Sequence, residues 1–261
     1  MFVSEQRAYI KSELVRTNRK HDFHVRQRFS WDCGLACAEM VLRARRVHAG
    51  IDARTLRSIV QTTSVWTIDV AYLLAALGLK LKYYTLQAGV RQEYRKQPFY
   101  MEHLDADSER VQALFDAAAK NGVRVEERAV SLEWFKSSIA LGRILIVLVD
   151  KRFLTCQICS KSAQSLASSA VERLYPGFLG HYIMVYGYDQ ELDSFWIKDP
   201  ATSKKSCLIR ARVLESARRA FGTDEDVLCI ADYTGSPCVS LLPFGIELQE
   251  ESALNVAEVM S

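Results

Sequence analysis

"GHYIMVYGYD" (180–189), "QELD" (190–193) and "SFWIKDP" (194–200) run without a break. Two stretches rich in aromatic and β-branched residues flank four polar ones, the pattern of an antiparallel hairpin. In such a hairpin the start of the first strand lies level with the end of the second, within cross-strand reach. His181 opens the first strand and Asp199 closes the second. Pro200 holds the residue before it extended. The hairpin is therefore expected to set an imidazole beside a carboxylate, leaving one ring nitrogen for a third group.

That third group is sought in "FSWDCGLAC" (29–37), where Cys33 begins the helical run "CGLACAEMVLRARR" (33–46). A thiol at a helix start meets unpaired N–H groups, which favour the thiolate. Gly34 leaves the approach to the sulfur open. Gln27 offers a side-chain amide N–H to an oxyanion, with the Cys33 backbone N–H as the second donor. His21, His24, His48 and His103 sit in polar surroundings, so His181 is the expected base. The resulting set is Cys33 as nucleophile, His181 as base, Asp199 as orienter and Gln27 as oxyanion donor. Trp31, Asp32, Trp66 and Gly180 stand beside these residues. Each either walls a substrate subsite or packs the elements that carry the set.

Outward from this centre, Asp52 is expected to cap a short helix. Thr67 is expected to cap "TIDVAYLLAALG" (67–78), which Gly78 stops. "LKLKYYTL" (79–86) reads as a strand and "DSERVQALFDAAAKNG" (107–122) as a helix. "VRVEERAV" (123–130) alternates like a strand, and "SLEWFKSSIALG" (131–142) is a capped helix. "RILIVLVD" (143–150) is a buried strand, "RARVLESARRAFG" (210–222) a helix and "DVLCIADY" (226–233) a strand. Helices lead and an antiparallel sheet dominates the second half, an α+β layout. The expected organisation is a leader segment (1–24), one domain (25–233) with an insertion loop (151–178), and an acidic tail (234–261). "EYRKQPFY" (93–100) reads as a candidate lid.

With 261 residues, 49% hydrophobic and 25% charged, the chain has enough apolar material for a full core. Its net charge of +3 hides an asymmetry: residues 1–60 hold twelve Lys/Arg against six Asp/Glu, whereas 220–261 hold eight acids and no base. The basic residues lack the aromatic interleaving of a nucleic-acid module. No apolar run reaches the ~20 residues of a membrane helix, and no secretory signal is visible. A cytoplasmic protein, with a nuclear location as the other option, is expected, without membrane or nucleic-acid partners. Seven cysteines in a reducing compartment argue against a disulfide framework. "CQIC" (156–159) is half of a zinc-type motif without a second pair at comparable spacing, so no metal ligand is assigned and zinc at Cys156 and Cys159 stays an open alternative.

"QRFSWDCGLAC" and "GHYIMVYGYD…FWIKDPA" resemble the papain-like fold of bacteriocin-leader (double-glycine) peptidases. That resemblance implies helices packed on an antiparallel sheet and the roles given above to Gln27, Cys33, His181 and Asp199. "SVWTIDVAYLL", "ILIVLVD", "KDPA" and "FGTDEDVL" further resemble the guanylyl cyclase family of soluble plant proteins and animal guanylyl cyclase domain-containing proteins, over residues 23–233. This second resemblance implies conversion of GTP to cyclic GMP with Mg²⁺ or Mn²⁺. "TDED" (223–226) would then offer carboxylates to a metal, although its plainer reading is a polar turn into a strand. Three functions stand open: a cofactor-free thiol hydrolase acting on a peptide, protein or other amide or acyl substrate, a cyclase, and a non-catalytic peptide-binding module.

Overall fold

The computed structural model describes residues 23–47, 50–91, 93–94, 104–159 and 177–233. Helices α1 (Cys33–Arg45), α2 (Ala53–Val60) and α3 (Thr67–Ala76) precede strand β1 (Leu79–Thr85). Helix α4 (Leu104–Ala117), strand β2 (Arg124–Glu127), helix α5 (Leu132–Ala140) and strand β3 (Ile144–Asp150) follow. The chain then forms β4 (Gly180–Asp189), β5 (Ser194–Lys198), β6 (Cys207–Arg210), α6 (Ala211–Arg218) and β7 (Val227–Tyr233). The leader and the tail expected from composition lie outside the described residues, apart from residues 23 and 24. Most of the expected lid and the 160–176 part of the insertion lie outside them too.

The seven strands form one sheet in the order β2-β1-β7-β3-β4-β5-β6. Every pairing is antiparallel except β1 with β2. All seven residues of β3 are buried, as its unbroken apolar run requires of a strand covered on both faces. Alternation then divides its side chains between two cores. Ile144, Ile146 and Leu148 join α1 to α4 on one face, while Leu145, Val147 and Val149 join α5 and α6 on the other. The protein is thus a mixed α+β fold with a helical layer on each side of the sheet.

The sheet is not confined to the second half of the chain. β1 and β2 come from the first half, and the last strand, β7, slots between β1 and β3. The four-residue strand β6 lies in "CLIR", too short for alternation to announce it. Helix caps were partly as expected. Asp52 accepts from Thr55 N (2.9 Å) and Ser131 from Trp134 N (3.2 Å). Thr67 is not a cap: Trp66 occupies that position, and Asp69 turns back to accept from Trp66 N (2.8 Å). The Thr67 hydroxyl faces the core instead, donating to Asp226 Oδ2 (2.5 Å) and pairing with Tyr182 Oη (2.8 Å).

Candidate active site

His181 is the second residue of β4, paired across the sheet with Val149 of β3. Asp199 follows directly after β5, whose last paired residue, Lys198, faces Met184. The His181 Nε2–Asp199 Oδ1 distance is 2.7 Å. Asp199 Oδ1 also accepts from Ala201 N (2.9 Å), which fixes the carboxylate within the Asp-Pro turn. With Nε2 engaged, Nδ1 remains for a third group, and Cys33 is close enough to act on the imidazole. The three groups belong to α1, β4 and the β5–β6 turn, and the fold gathers them at one end of the sheet.

The charges reinforce this geometry. Burial, with His181 only 3% exposed, would by itself push the imidazole down. The Asp199 carboxylate, through charge and hydrogen bond, and then Cys33 outweigh burial and raise it to about 9. For Asp199, burial opposes ionisation, but His181, Ala201 N and Lys151 hold it below the ordinary carboxylate range. An imidazolium is therefore held between an anion and a sulfur. Cys37, one turn further along α1, is fully buried. Burial pushes its thiol far up, with Cys33 and Asp199 adding to the effect. Of the two cysteines in "CGLAC", only Cys33 borders the histidine.

The start of α1 is open for a reason visible in Asp32. Aspartate is a favoured N-cap, yet this one makes no side-chain bond to the helix. Its fully buried carboxylate turns backwards to accept from Arg28 N (3.1 Å) and Phe29 N (2.9 Å), and pairs with Arg57 (2.8 Å). It shapes the loop before Cys33 and leaves the first-turn N–H groups without a side-chain cap. Asp32 thus positions the loop that leads into Cys33. Asp32→Ala would strand Arg57 and two backbone donors, so a loss of about 3 kcal/mol or more is expected. Urea unfolding checks this, and an unchanged midpoint would overturn it.

The other expected residues divide in the same way. A Cβ on Gly34 would meet Val70 Cγ2 at 3.0 Å and Tyr182 Cδ2 at 3.1 Å, so glycine here lets α1 approach β4 and α3 closely. Trp31 is half-buried and stacks on Phe29 at 5.7 Å. Trp66 donates its indole N–H to Asp107 (2.9 Å), within a cluster where Arg110 bridges Asp69 and Asp107. Gly180 pairs with Asp150 in the sheet. Gln27 lies against the Asp199 turn, with its backbone N–H on Pro200 O (2.8 Å) and its Nε2 on Phe29 O (2.8 Å). One amide hydrogen is therefore spent within the loop, which leaves the second for any oxyanion role.

The acidic run 223–226 does not assemble a hard-cation site. Asp224 (φ +49°) binds Arg91 (2.6 Å) and Tyr94 Oη (2.5 Å). Glu225 (φ +52°) binds Arg218 (3.0 Å) and Arg219 (3.1 Å). Asp226 is buried and accepts from Thr67 and from Tyr83 Oη (2.8 Å). The three carboxylates serve three different partner sets. Among the described residues, one group of three or more metal-type donors converges, and it consists of thiols: Cys156, Cys159 and Cys207. The sequence marked the first two. Cys207 lies 48 positions beyond Cys159, in a strand that the pattern did not reveal.

Fold and site define an α+β protein with a cysteine, a histidine and an aspartate aligned at the end of a mostly antiparallel sheet. A family described as guanylylate cyclase matches residues 23–230. "Guanylyl cyclase 1" of Arabidopsis thaliana is 41% identical over 209 residues, covering 79% of this chain and 74% of the plant protein. The chain belongs to this guanylyl cyclase-named family. Among the described residues, no helix is long and apolar enough to cross a membrane.

Proposed function

We propose that the protein is a papain-like thiol hydrolase acting on a peptide, isopeptide or other amide or acyl bond. One observation carries this reading: His181 is held between the Cys33 sulfur and the Asp199 carboxylate. The Cys33 thiolate adds to the carbonyl carbon, and the resulting oxyanion lies near the uncapped N–H groups of α1 and the remaining amide hydrogen of Gln27. His181 passes its proton to the leaving nitrogen, and a thioester on Cys33 remains. His181 then takes a proton from water, which attacks the thioester and releases the acid and the thiol. Asp199 keeps the ring in the tautomer and orientation that both steps need. The reading needs no cofactor, and the expected partner is a peptide or protein substrate in the cytoplasm or nucleus.

The family description favours a second reading, conversion of GTP to cyclic GMP with Mg²⁺ or Mn²⁺. Those ions take oxygen donors. The carboxylates at 223–226, bound to separate arginine and hydroxyl partners, do not fit such a pair. The deciding experiment screens amide and ester libraries with wild type and Cys33→Ala, with GTP turnover measured in parallel. The hydrolase reading expects turnover reduced at least ~10³-fold in Cys33→Ala. Metal-dependent cyclic GMP formation that survives Cys33→Ala would replace it with the cyclase. Binding of peptide without any turnover would leave a binding module.

A further inference from the structure

Strand β6 is an edge of the sheet, and the segment after β3 folds back across it. Gln157 N donates to Leu208 O (2.9 Å), and Gln157 Nε2 donates to Ser194 Oγ (2.7 Å). These two bonds fix the middle of "CQIC" on β5 and β6, so that both its cysteines face Cys207 at the start of β6. The three Sγ atoms lie within 4.8 Å of one another, with Cys159 and Cys207 at 3.5 Å. The Cys156 sulfur already accepts the backbone N–H of Cys159 (3.3 Å), a bond that needs electron density on sulfur and is strongest to a thiolate.

We propose that Cys156, Cys159 and Cys207 form a zinc site, separate from the Cys33–His181–Asp199 set. Tetrahedral zinc with Zn–S bonds of ~2.3 Å separates its sulfurs by about 3.8 Å, so the thiols need only small adjustments to close on an ion. Three soft sulfur donors select zinc over magnesium, calcium or manganese. Binding releases the remaining thiol protons to solvent and leaves three thiolates on the metal, with the fourth tetrahedral position open to water or an added ligand. No redox change is involved. The site joins the start of the 151–178 connection to the end of the β5–β6 turn, beside the two Gln157 bonds to Leu208 O and Ser194 Oγ. That turn begins with Asp199, so the metal would brace the residue that orients His181.

The test uses the full chain purified under reducing conditions and without chelator. Zinc is measured by elemental mass spectrometry and native mass. Wild type and Cys33→Ala should each carry one zinc per chain, while Cys159→Ser and Cys207→Ser should fall below about a tenth of that. Should the serine variants fail to fold, cobalt titration of wild type replaces them. A one-to-one endpoint with the near-ultraviolet thiolate-to-cobalt charge-transfer band and a tetrahedral visible spectrum is expected. Two results would overturn the site: protein that takes up neither zinc nor cobalt while all three thiols remain titratable, or a mass deficit of two hydrogens mapping to a Cys159–Cys207 disulfide.

Discussion

Alkylation of Cys33 by iodoacetamide at pH 7 slows by about tenfold or more when His181 becomes alanine, because the thiolate loses its charged neighbour. Peptide mass spectrometry reads this rate separately from those of the other cysteines. In wild type the profile should carry an alkaline limb near pH 9, where His181 gives up its proton. That limb should vanish in His181→Ala. In Asp199→Asn it should move to lower pH, because burial then acts with less opposition from a neighbouring anion. Stability follows the same ionisation. A histidine raised in the folded state contributes in full below its unfolded value of ~6.5, and that contribution is lost as pH rises through about 9. A Cys33 rate indifferent to both substitutions would remove the basis for a thiol hydrolase.

A second large effect is expected at Asp226, beneath the site and away from its chemistry. Burial, followed by the charge of Asp224, lifts this carboxyl to about 7 even though Thr67, Thr85 and Tyr83 hydrogen-bond to it. A carboxyl raised in the folded state costs nothing while both states are protonated. Its cost grows from about pH 4 and is complete once pH has passed about 7. Three units correspond to a loss on the order of 4 kcal/mol. Asp226→Asn keeps an acceptor for Thr67 and Tyr83 and cannot ionise. Urea unfolding should therefore find the variant more stable than wild type at pH 8, and the difference gone or reversed at pH 5. Parallel curves for the two proteins across that range would refute the assignment. Wild type should show the two losses in succession, Asp226 first and His181 at higher pH.

What could be read from the sequence was local or nearly so. The β4–β5 hairpin is announced by a polar four-residue turn between two β-rich runs, and its geometry alone predicted that His181 meets Asp199. Cys33 at the head of α1 was visible from helical spacing. The contacts of Asp32 and Gly34 were not legible, because they are made to Arg57, 25 positions from Asp32, and to Val70 and Tyr182, 36 and 148 positions from Gly34. Thr67 looked like a cap because only its neighbours were in view; the hydroxyl finds Asp226 across the core. Cys207 escaped for a similar reason. No spacing rule links it to "CQIC", and only the docking of Gln157 on β6 brings the three sulfurs together.

The place of β7 bears on how the molecule is made. The ribosome releases residues 227–233 after every other described strand, yet they lie between β1 and β3. Until they emerge, the nascent chain holds two incomplete sheets, β1 with β2 and β3 to β6, each exposing an unpaired inner edge. Such edges invite association with other chains, and pairings this distant along the chain form slowly. Chains halted before residue 227 should aggregate or engage chaperones, whereas completion of one seven-residue strand seals both edges together. Closure of the sheet between β1 and β3 is accordingly a late event in the synthesis of the protein.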